Sequence, residues 1–136
     1  MDKAEAIATA QLFLQRLLTD FPACTAMLAD DFAWENFLPA HVPFGGRYVG
    51  RAGLERYLAE LAANWVIGEL EFTHFIFDPG SQTLAASGVE KNGTAVPTGR
   101  CCDMAFMWEF RFASSGQLSY VREYNDTAAI GATFDA

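Results

Sequence analysis

Arg122, Tyr124 and Asp126 stand two residues apart near the end of the chain. In a strand that spacing turns all three side chains to one face. A guanidinium, a phenol and a carboxylate converging on a pocket could hold a small molecule and move a proton on it. Among aromatic rings a carboxylate is poorly solvated, which raises its pKa towards the range useful for acid–base catalysis. Asp126 also precedes Thr127-Ala128-Ala129-Ile130, where it could cap a short terminal helix instead. Asn36 shares strand parity with Phe32 and Trp34. A polar amide among apolar neighbours needs hydrogen-bond partners: a water, a ligand, or the backbone of the Pro/Gly-rich loop just beyond it. His41 lies in that loop, where it could rim a cavity and exchange a proton near neutral pH. His74, beside Phe72 and Ile76, reads as a packed histidine, and Lys91, next to the turn signal Asn92-Gly93, as a solvated one. Cys102 shares the apolar parity of Met104 and reads as an inert thiol.

The 136 residues are enough for one domain, 1–136, with a core of its own. Hydrophobic residues at 51% and charged residues at 19% exclude a disordered tail. Twelve Phe, three Trp and four Tyr call for a large aromatic core, an aromatic-lined cavity, or both. The net charge is -8, and Lys3, Lys91 and the scattered arginines form no basic stripe. Neither nucleic acid nor an anionic membrane is therefore an expected partner. No run of 18 apolar residues could span a bilayer. Three cysteines without a C-x-x-C pair, behind a start that reads Met-Asp-Lys-Ala-Glu, suggest reduced thiols and a cytoplasmic protein. With two histidines and no Gly-rich phosphate loop, neither a metal centre nor a cofactor is expected.

These residues must be positioned by elements whose periods are legible. Asp2 and Glu5 have capping-box spacing, and Ile7, Ala10, Leu14, Leu17, Leu18 and Phe21 recur at helical spacing behind them. Pro22 opens a short second helix expected to run through Met27 and Leu28. Residues 32–36 alternate as a strand, and 38–50, with two Pro and three Gly, form a loop. Leu54, Tyr57, Leu58, Leu61 and Trp65 make the apolar stripe of a third helix that starts near Arg51. Beyond Gly68 the period changes to two. Strands are expected over 69–78, 82–92, 101–113 and 117–126, with turns at Asp78-Pro79-Gly80, across 93–99 and at Ser114-Ser115-Gly116. In 101–113, Cys102, Met104, Phe106, Trp108, Phe110 and Phe112 share one face. The class is α+β: helices packed on the concave face of a strongly bent, mixed but mostly antiparallel sheet, with a pocket between the two layers.

The order of elements, the phrase Leu28-Ala29-Asp30-Asp31-Phe32-Ala33-Trp34-Glu35-Asn36, the segment Gly46-Arg47-Tyr48-Val49-Gly50-Arg51 and the close Arg122-Glu123-Tyr124-Asn125-Asp126-Thr127-Ala128-Ala129 resemble the SnoaL-like polyketide cyclase family. That family lies within the nuclear transport factor two-like, ketosteroid isomerase-like superfamily. The resemblance covers roughly residues 3–134 and implies a cone-shaped, cystatin-like fold. The scaffold hosts isomerases, dehydratases, cyclases, epoxide hydrolases and non-catalytic binders, so it does not by itself name a reaction. The base and the oxyanion-hole acid of the ketosteroid isomerase branch fall on Asn36 and Trp108. Neither side chain can do that work. The epoxide hydrolase branch implies Asp126 and a water-positioning Asn36, with its companion arginine and second aspartate falling on Val89 and Lys91. In the cyclase branch an acidic residue of the last-strand region acts, a role Asp126 could fill.

Taken together, these readings lead to a small hydrophobic organic ligand as partner. Acid–base chemistry by Asp126 with Asn36 and Tyr124 is expected, in a pocket lined by Trp34, His41, Tyr57, Met104, Phe106, Trp108 and Arg122. The alternative is a non-catalytic binding or dimerisation module on the same fold. A homodimer is expected through the outer sheet face, where Ala105 and Met107 project from strand 101–113 and need cover. Related proteins commonly pair in this way.

Overall fold

The computed structural model describes residues 1–136. Helix α1 (Lys3–Thr19) starts at the capping box, with Asp2 Oδ1 accepting from the Glu5 amide at 2.8 Å and Glu5 Oε2 from the Asp2 amide at 2.9 Å. Its buried stripe is Ala6, Ala10, Phe13 and Leu17. Helix α2 (Phe21–Thr25) carries Pro22 in its first turn and stops at Thr25. Met27 and Leu28 thus lie beyond the helix expected to include them, and Leu28 opens strand β1 (Leu28–Asn36). A loop leads to β2 (Arg47–Val49) and helix α3 (Gly50–Asn64).

Trp65 does not continue the stripe of α3. Its backbone is extended (φ -140°, ψ 131°), and it forms the two-residue strand β3 (Trp65–Val66). There its indole is buried and its N–H donates to Glu90, a bond the exposed C-terminal end of α3 does not offer. Four long strands follow: β4 (Glu69–Asp78), β5 (Thr83–Ala95), β6 (Cys101–Phe112) and β7 (Leu118–Asn125), before helix α4 (Thr127–Thr133).

One seven-stranded sheet runs β2-β1-β7-β6-β5-β3, and β4 also pairs with β5. Every pairing is antiparallel except β1 with β7, which is parallel. Register shifts interrupt β4–β5, β5–β6, β6–β7 and β1–β7. Such irregularities bend a strand and raise its twist, and they curl this sheet around the helices into a cone. The shift in β5 falls at Asn92-Gly93, where the sequence suggests a turn. Asn92 does take a positive φ of 58°, but the strand continues to Ala95.

Alternation on β6 puts Met104, Phe106, Trp108, Phe110 and Phe112 inward. Ala105 and Met107 project outward, on the face expected to meet a second copy. Phe106 stacks on Trp108 with centroids 4.1 Å apart. The room for that ring comes from β5: a Cβ on Gly88 would lie 2.5 Å from Phe106 Cζ. Beneath the sheet, Phe13 of α1 meets Phe32 and Trp34 of β1 at centroid distances of 6.3 and 6.2 Å. No helix is long and apolar enough to cross a membrane.

Candidate functional site

Residues opposite each other in a ladder share a face. Phe110, Trp108 and Phe106 face inward and pair with Val121, Glu123 and Asn125, so those three are the inward residues of β7. The register shift near Phe112 lets Leu118 and Val121, three residues apart, both be buried. Parity therefore changes within β7, and Arg122 and Tyr124 face outward, opposite to the expected side. Tyr124 is 43% exposed. Arg122 Nη1 donates to the Tyr124 hydroxyl at 2.9 Å and Nε to the Tyr120 hydroxyl at 3.1 Å, forming an outer ladder of cation and rings.

Asp126 is outside the cavity as well. Its carboxylate is exposed and accepts from the Ala129 amide at 3.0 Å as the N-cap of α4. Caps of this kind stabilise by about 0.5–2 kcal/mol. Asn36 is buried, but its amide braces the loop after β1. Nδ2 donates to the Phe44 carbonyl at 3.0 Å, and Oδ1 accepts from the Gly46 amide at 3.0 Å. His41 Nε2 lies 2.9 Å from the Gly131 carbonyl and 3.2 Å from Asp135 Oδ1, tying that loop to α4 outside the cavity. Lys91 is exposed and pairs with Glu71 at 3.5 Å, and Val89 shares its outward parity.

The cavity lies between α1, α3 and the concave sheet and opens to solvent at its mouth. Of 17 lining residues 14 are hydrophobic, and the polar ones are Glu90, Glu123 and Asn125. Trp34, Tyr57, Met104 and Trp108 line it, whereas Phe106 is packed behind Trp108. The structure thus brings four of the expected lining residues together and leaves out Phe106, His41 and Arg122.

Glu123 is the centre of the arrangement. Trp34 Nε1 donates to its Oε1 at 2.7 Å and the Tyr57 hydroxyl donates to the same oxygen at 3.1 Å. Burial raises its pKa to about 7; the bonds from Trp34, Tyr57 and Asn125 pull it down, and the charge of Glu90 adds to the rise. Burial, together with the Glu123 carboxylate, also holds the Tyr57 phenol well above its ordinary pKa, so that Tyr57 remains a donor. Asn125 is fixed by Trp108, whose Nε1 donates to its Oδ1 at 2.9 Å. A carboxyl group near half-protonation at neutral pH, gripped by fixed donors in an apolar space, can act as acid or as base.

Glu90 is the second buried carboxylate. Trp65 Nε1 donates to its Oε2 at 2.9 Å and the Gly68 amide at 3.2 Å. This close packing needs a glycine at 93, because a Cβ there would fall 2.3 Å from both Glu90 Oε2 and Trp65 Cζ2.

Neither glutamate stands out in the sequence. The signal that finds them is the register: Met104 and Trp108 face inward, and their partners across β6 are Glu90 and Glu123.

The fold has relatives among solved structures. An NTF2-like protein from Burkholderia xenovorans LB400 superposes with a TM-score of 0.88 at 20% identity, over 99% of each chain. A candidate isomerase from Bacillus subtilis gives 0.79 at 18% identity, over 98% of this chain and 96% of its own. A candidate SnoaL-like polyketide cyclase from Mesorhizobium loti gives 0.66 at 18% identity, over 91% and 99%. Identities this low carry the fold alone. No curated protein matches the sequence. The family model of the SnoaL-like domain matches residues 15–121, from α1 into β7, and the chain belongs to that family.

Proposed function

We propose that this protein binds a small, mostly apolar organic molecule and catalyses a proton transfer on it, of the kind an isomerase or a cyclase performs. The observation that carries this reading is Glu123: a carboxylate only 6% exposed on an aromatic cavity, accepting from Trp34 and Tyr57, with its pKa lifted to about 7. The acidic residue that the resemblance asks of the last strand is then Glu123 rather than Asp126. In the carboxylate form Glu123 removes a proton from an activated carbon; in the acid form it returns one elsewhere on the same skeleton. No co-reactant is consumed. The candidate isomerase and cyclase among the fold's relatives are consistent with such chemistry.

Deuterium exchange tests this without knowledge of the substrate. β-Tetralone, an apolar ketone with acidic α-hydrogens, is incubated with the protein in heavy water and its mass is followed. The protein is expected to accelerate α-exchange, and Glu123→Gln to lose about 10²–10⁴-fold of that acceleration. Equal exchange by the two proteins would overturn the reading. Binding of the ketone without exchange would favour the non-catalytic module.

A further inference from the structure

We infer that the molecule this cavity takes is an organic amine, bound as its ammonium by the free oxygen of Glu90. The inference rests on the reading of the cavity as a substrate site and adds the substrate's charge.

Glu90 is only 5% exposed, yet it is half used. Both its hydrogen bonds, from Trp65 and from Gly68, fall on Oε2. Oε1 accepts none, and no partnerless side-chain oxygen is sealed inside the protein, so Oε1 opens onto the cavity that Glu90 lines. A carboxylate oxygen between apolar walls is costly without a donor. Nothing of the chain supplies one.

Three further observations select a cation over a neutral donor. The cavity carries two carboxylates, Glu90 and Glu123, and no Lys, Arg or His among its lining residues. Lys91, next in the chain, turns outward to Glu71. An anionic substrate would therefore enter a space of uncompensated negative charge. Secondly, the rings of Trp34, Tyr57, Trp65 and Trp108 make up much of the wall, and aromatic faces attract organic ammonium groups. Thirdly, the net charge of -8 raises the local concentration of cations around the molecule and disfavours anions. Glu90 and Glu123 flank β6 four positions apart in its register, at Met104 and Trp108. That separation fits a division of labour: Glu90 anchors the ammonium, and the apolar skeleton extends to Glu123.

Three probes of one shape test this by calorimetry at neutral pH: phenylbutylamine, phenylbutanol and phenylbutanoate. The amine is expected to bind about tenfold tighter than the alcohol, and the acid about tenfold weaker or not at all. Glu90→Gln is expected to bring the amine-to-alcohol ratio to within about twofold. Equal binding of amine and alcohol, tightest binding of the acid, or an amine preference that survives Glu90→Gln would each overturn the inference. All three outcomes leave the cavity reading intact. If none of the probes binds, the cavity reading fails and the amine inference falls with it. Should Glu90→Gln not fold, the ratios in the unsubstituted protein decide.

Discussion

Raising the pH from about 5 to about 8 is expected to cost the folded protein on the order of 3 kcal/mol at Glu123 alone, and Glu123→Gln is expected to remove that loss. The folded-state pKa is about 7, against an ordinary 4.5. Between those values the folded chain holds a proton that the unfolded chain has released. Stability therefore falls as pH rises through this window: the contribution is whole below about 4.5 and gone above about 7. A gap of this size, at about 1.4 kcal/mol per pH unit, gives the stated magnitude. The amide of Gln keeps an oxygen for Trp34 and Tyr57 and carries no charge at any pH. Urea unfolding of both proteins across the range isolates the effect, because every other titrating group is common to them. Parallel stability curves for the two would contradict this picture of Glu123.

Phe13→Ala is expected to destabilise by about 3–5 kcal/mol. Phe13 has no exposed surface, and it packs at 6.3 Å from Phe32 and 6.2 Å from Trp34. Truncation loses the burial of a ring and leaves a hole between α1 and β1 that close-packed neighbours cannot fill. The site suffers too, because Trp34 is the donor at 2.7 Å to Glu123, and its indole leans on Phe13. Leu18 lies on the same helix and is 57% exposed, so Leu18→Ala is expected to cost within about 0.5 kcal/mol. Chemical denaturation of the two variants checks the contrast. Similar losses would mean that the interior of α1 is not packed as described.

Much of this architecture is legible in the residues. The Asp2–Glu5 box, the α3 stripe as far as Leu61, and the aromatic alternation of β6 each report a local period, and local periods survive in a linear sequence. The last strand resists because its inward face is set across the ladder. One register shift buries both Leu118 and Val121, so counting by two from buried Leu118 lands on Arg122 and Tyr124, which face outward. Asn36 and Asp126 illustrate a second limit. Both are short polar residues able to serve a ligand or the backbone, and the local backbone was the nearer partner. Trp65 shows a third, because helical spacing placed it on α3 while a buried bond to Glu90, 25 residues away, drew it into the sheet. Glu90 and Glu123 were the least visible of all. A glutamate in an alternating strand usually marks the solvent face, and here the two define the cavity.

Glu123 is proposed to be a carboxyl that exchanges its proton at neutral pH. A ¹³C NMR titration of glutamate side-chain carboxyls reads it directly, with the Glu123 signal assigned by its absence from Glu123→Gln. That signal is expected to titrate near pH 7. A midpoint of about 4.5, the ordinary glutamate value, would contradict it.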